Sequence, residues 1–80
     1  MNTSHNTNDN AADLAAQLQF LEYAIRRSIT VREDQEDAAG VEHIEAAHGL
    51  GVSVDAEASK GDLLAAVQTL LRATQSKPLR

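Results

Sequence analysis

Eighty residues carrying a net charge of −5 leave room for one domain and exclude separate catalytic and binding domains. Hydrophobic residues make up 42% of the chain, but 14 of them are Ala and the aromatics are Phe20 and Tyr23 alone. A core of nine Leu, three Ile and five Val is small for a chain that buries only about 60% of its unfolded surface, and it calls for a partner surface to complete it. The chain has no Cys, which excludes a disulfide framework and a thiolate metal site. No run approaches the roughly 18 apolar residues of a membrane span, and the start lacks the pattern of a signal peptide, so the expected location is cytoplasmic with no membrane contact.

In chain order, residues 1–10 (MNTSHNTNDN) have no apolar residue after Met1, and such a segment predicts a disordered tail. A first helix is expected over about 10–32, with Asn10 as cap and Asp13 in the first turn. Leu14, Leu18, Leu21, Ile25 and Ile29 recur at spacings of three and four residues, which makes one helical stripe. Phe20, Ala24 and Val31 widen that stripe to about half the helix circumference. An arc so wide implies contact on two sides, one within the chain and one with another chain. Leu14, Leu18, Phe20, Leu21, Tyr23 and Ile25 are therefore the expected interface of a homo-oligomer, most simply a dimer. Arg26 and Arg27 accompany Tyr23 on the more polar side as candidate partner-binding residues.

Residues 33–45 carry a charge of −6, while residues 59–80 carry +3. The clustered Asp34, Glu36 and Asp37 read as a solvated acidic linker, because nothing apolar surrounds them to raise a pKa for acid–base work. A second helix is expected over about 35–49, capped by Asp34 or Asp37, with Val41, Ile44 and His48 on one face and Gly49 and Gly51 ending it. His43 and His48 lie five residues apart, which places them on different faces and short of a metal-ligand set. A third helix is expected over about 60–74, opened by Ser59-Lys60-Gly61-Asp62 at capping-box spacing. Leu63, Leu64, Val67, Leu70 and Leu71 form its stripe, of which Leu63, Val67, Leu70 and Leu71 should pack against Val41, Ile44 and Leu50. Residues 76–80 form a short tail.

Leu50-Gly51-Val52 followed by Ser59-Lys60-Gly61-Asp62-Leu63 gives Val41 to Leu71 a further meaning. The segment resembles the helix–extended-loop–helix modules of the SAP type and the Rho N-terminal type, in which a Leu-Gly-(Val/Ile) turn closes the first helix and a Ser/Thr-Lys-x-Glu/Asp-Leu sequence opens the second. The resemblance implies binding of nucleic acid or another partner at the opening of the second helix, with Lys60 at the matching basic position. Here Glu42, Glu45, Asp55 and Glu57 surround the motif, which weakens phosphate binding.

No phosphate loop, nucleophile elbow or metal set is present in the sequence, so neither an enzyme nor a bound cofactor is expected. The fold expectation is a small all-α, three-helix domain over 11–75. The leading functional expectation is an acidic protein–protein interaction module, acting as a homodimer that binds and modulates a partner protein. Two others stand beside it. One is an inhibitor encoded by a phage or mobile element that occupies a host protein's basic groove. The other is a nucleic-acid-binding accessory module.

Overall fold

The computed structural model describes residues 6–75, with side-chain surroundings described from residue 12 onward. It contains three α-helices and a 3-10 turn: α1 (Asn6–Arg27), η1 (Arg32–Glu36), α2 (Val41–Gly49) and α3 (Lys60–Gln75). This is a small all-α domain. The described residues hold no strand, and a single antiparallel bridge pairs Ala38 with Ser59. The tail expected over 1–10 is corrected in its second half, since residues 6–10 form the start of α1; residues 1–5 and the expected tail at 76–80 lie outside the described residues.

Helix α1 starts at Asn6 rather than Asn10 and ends at Arg27 rather than residue 32. Its end has a local cause. Ile29, Thr30 and Val31 are three consecutive β-branched residues, which lose rotamer freedom in a helix. Ser28 turns its hydroxyl onto the Ile25 carbonyl at 2.6 Å, a bond that competes with helix continuation. The carboxylate of Asp34 then accepts from the Thr30 hydroxyl at 2.8 Å, the Thr30 amide at 2.9 Å and the Val31 amide at 3.2 Å. Asp34 thus fixes the loop after α1 instead of capping α2. The expected start of the second helix near residue 35 is taken by η1, and α2 begins after Gly40.

Helix α2 ends in a Schellman arrangement. The Gly51 amide donates to the His48 carbonyl at 3.0 Å, and the Val52 amide to the Ala47 carbonyl at 2.9 Å. Gly51 has a φ of +90°, a conformation that Gly adopts without the Cβ clash that other residues meet. Val52 and Ala47 are both buried, the hydrophobic contact that accompanies this motif. The chain then runs non-helically over 52–55, where the Val54 carbonyl accepts from His48 Nε2 at 2.8 Å. Two backbone bonds clamp this excursion to the segment before α2: Ala39 amide to Ala58 carbonyl at 3.0 Å, and Lys60 amide to Asp37 carbonyl at 2.8 Å.

Helix α3 opens as expected. The Asp62 amide donates to Ser59 Oγ at 3.1 Å, so Ser59 satisfies one of the amides that a helix start leaves without a partner. Leu63, Val67 and Leu71 are its buried residues. Their main partner is α1, not α2. Bonds from Lys60 to Ser28 and from Gln68 to Glu22 show the two helices running antiparallel. Leu18, Ile25, Leu63 and Val67 are the largest fully buried side chains, joined by Ile44, Ala47 and Val52. Two core expectations are corrected. Val41 is 69% exposed, because η1 and not the first turn of α2 lies against the opening of α3, where a Cβ on Gly61 would stand 3.2 Å from the Gln35 carbonyl oxygen. Leu70 is only partly buried.

Candidate functional site

The residues expected at an intermolecular interface divide into two groups. Leu18 and Ile25 are fully buried and Leu21 is 8% exposed, with Leu14 partly buried against the same cluster. These four belong to the chain's own core, since the antiparallel α3 covers the stripe that the sequence reading assigned to another chain. Phe20 is 77% exposed and Tyr23 58% exposed. At 100° per residue they lie on a face centred about 160° away from the buried stripe. What reads in sequence as one wide apolar arc is therefore a core face and a separate outer face.

The outer face borders an open groove of about 670 Å³ between α1 and the C-terminal end of α2. Phe20, Tyr23, Ala24 and Arg27 form one wall, and Ala46 and Leu50 the other. Geometry explains why the groove exists. Helix α1 has 22 residues and α2 has 9, lengths of about 33 Å and about 13 Å at 1.5 Å per residue. The shorter helix cannot cover the flank of the longer one. The Arg27 guanidinium sits 5.6 Å from the Tyr23 ring centroid, within reach of a cation–π attraction that holds the cation along the groove edge. Arg26 instead faces Glu22 across one helical turn at 3.8 Å, an exposed pair of small energetic weight. Glu22 also accepts from Gln68 at 2.9 Å, so its carboxylate belongs to the α1–α3 seam.

Lys60, the expected contact for an anionic partner, is engaged within the chain. Its ammonium donates to the Ser28 carbonyl at 3.0 Å and is partly buried. There it places a cation at the C-terminal end of α1, where the helix dipole favours one. The bond ties the cation expected to meet an anionic partner to the end of α1, beside the opening of α3.

Asp34 has an altered acidity. The Thr30 hydroxyl, then the Thr30 and Val31 amides, and to a lesser degree the Lys60 charge hold its carboxyl below the ordinary value of 3.8. This is loop-fixing chemistry, since every donor stabilises the ionised form. Among the described residues no group of three His, Asp or Glu side chains could hold a metal ion. His48 Nε2 donates to the Val54 carbonyl, and His43 is half-buried beside Gly40.

Sequence reasoning missed Gln17, Ala46, Gly49 and Leu50 as groove residues. Only Leu50 carried a signal, and its place in a Leu-Gly-Val turn assigned it to helix termination instead. No described helix is long and apolar enough to cross a membrane. Comparison with known protein families, with characterised proteins and with solved structures finds no match for this chain.

Proposed function

We propose that this protein is a non-enzymatic interaction module that binds protein through the α1–α2 groove, acting as a homodimer that engages and modulates a partner. The observation that carries this reading is Phe20, the chain's one Phe, held 77% exposed at the edge of an apolar groove. Exposed apolar patches beside a closed core mark places where proteins meet. Tyr23 and Arg27 support the reading, because aromatic and Arg side chains dominate interface energetics. The acidic surroundings of α2 and the engaged state of Lys60 give little support to phosphate binding.

Phe20→Asp tests the reading, since it puts a charge into the groove wall without touching the core. The variant should keep the wild-type helical circular dichroism and melting temperature. The wild type should associate in sedimentation at micromolar concentration and in affinity capture, and the variant should lose that association. If Phe20→Asp retains all of that association, the groove is not the binding surface.

A further inference from the structure

The outer face of α1 is complementary to itself. Asp13, Ala16, Gln17, Phe20, Tyr23 and Arg27 are all exposed, and at 100° per residue they fall within about 60° of Phe20 around the helix. The acid stands at one end of this strip, and Arg26 and Arg27 form the basic last turn at the other. Asp13 and Arg27 lie equally far from Phe20 in the chain, one before it and one after.

We infer that a second copy of this chain is the occupant of the groove face, with the two α1 helices antiparallel about a two-fold axis at Phe20. The inference rests on the interaction reading above and specifies its geometry. In that register Asp13 of one copy faces Arg27 of the other, at both ends of the contact. Gln17 faces Tyr23, and Ala16 faces Ala24, where two small side chains let the helices approach on either side of the central ring. Each Phe20 enters the other copy's groove between α1 and the Ala46–Leu50 wall of α2. The positioning of Arg27 against the Tyr23 ring at 5.6 Å keeps its guanidinium extended along the strip. A parallel pairing would set Asp13 against Asp13 and Arg27 against Arg27, so charge alone selects the antiparallel arrangement. A two-fold interface repeats every contact, so each substitution acts twice.

Charge reversal with rescue tests this. Asp13→Arg and Arg27→Asp should each weaken dimerisation by about tenfold or more in sedimentation equilibrium at low salt, as two attractive pairs become two repulsive ones. The double variant Asp13→Arg/Arg27→Asp restores both pairs and should return to within about threefold of the wild-type dissociation constant. Failure of the rescue overturns the antiparallel register. A second measurement uses the absence of Cys in the chain. A mixture of Gln17→Cys and Tyr23→Cys proteins should cross-link on oxidation mainly between unlike variants. Cross-linking mainly between like variants would establish a parallel pair and overturn the inference. A wild type that sediments at 8.6 kDa at high micromolar concentration overturns it as well, and loss of affinity capture on Phe20→Asp would then leave the groove reading standing with a different occupant.

Discussion

The two sides of α1 use similar residues for opposite ends. Against α3, Leu18, Leu21 and Ile25 meet Leu63, Val67 and Leu71 in a closed seam, tied at its edges by Gln68 to Glu22 and by Lys60 to Ser28. Against α2, Phe20 and Tyr23 meet a helix too short to cover them, and a groove remains. The difference lies in the length and placement of the neighbour, not in the hydrophobicity of the face. The buried core and the exposed groove wall thereby occupy separate faces of one helix, and each can be altered without the other.

The largest expected effects test that separation. Leu18→Ala should cost about 2–5 kcal/mol, the range for emptying a buried Leu site. In a domain whose total stability is on the order of 5 kcal/mol, that approaches unfolding. Phe20→Ala should change the stability of the isolated chain by less than about 0.5 kcal/mol, as exposed substitutions do. Urea denaturation followed by circular dichroism measures both at a protein concentration low enough to hold the chain monomeric. Equal losses would break the distinction between the two faces.

Gly51→Ala acts on the α2 side. With a φ of +90°, Ala at this position should destabilise by about 1–2 kcal/mol. The cost is strain alone, because a Cβ there would meet nothing within 4 Å. Ser59→Ala acts on the α3 side and should cost about 1 kcal/mol through loss of the acceptor for the Asp62 amide. If Gly51→Ala were silent in the same denaturation assay, the Schellman turn would not be holding the groove's second wall in place.

The smallest effect is one of pH. The folded-state pKa of Asp34 lies below its unfolded value, so its contribution to stability is fully present above about pH 4. That contribution is lost as pH falls through the folded pKa. Asp34→Asn should therefore be less stable than the wild type near neutrality, and the gap between the two melting temperatures should narrow in acid. A gap independent of pH would show that the hydrogen bonds to Thr30 and Val31 do not depend on the carboxylate charge.

Much of this architecture was legible in the residues, for reasons that differ by element. Helix α3 read cleanly because its cap and its stripe of Leu63, Val67 and Leu71 agree, and local and tertiary signals point the same way. Gly51 was legible because a helix end followed by Gly-Val has few alternatives. The end of α1 was not. Ile29 continues the spacing of Ile25 and is partly buried as that spacing demands, but the backbone has already left the helix. Periodicity reports which residues go inward and is silent on the three side-chain bonds to Asp34 that turn the chain. The groove was illegible for a different reason. Its second wall is Ala46, Gly49 and Leu50, and nothing in their types distinguishes an uncovered surface from a packed one. That outcome depends on how far α2 reaches along α1, a tertiary quantity.

The clamp formed by Ala39 with Ala58 and by Asp37 with Lys60 has a consequence for motion. It closes residues 40–57 into a lobe whose two ends are held together at the opening of α3. Such a lobe can open and reclose as a cooperative unit while the α1–α3 seam stays intact, since it contributes the smaller share of the buried core. Amide protons of α2 should then exchange with solvent sooner than those in the middle of α1 and α3. Each opening swings one wall of the groove away from Phe20. The width of the groove is in this way a thermally populated variable, and an occupant that bridges both walls would slow exchange in α2 at a distance from any residue it touches.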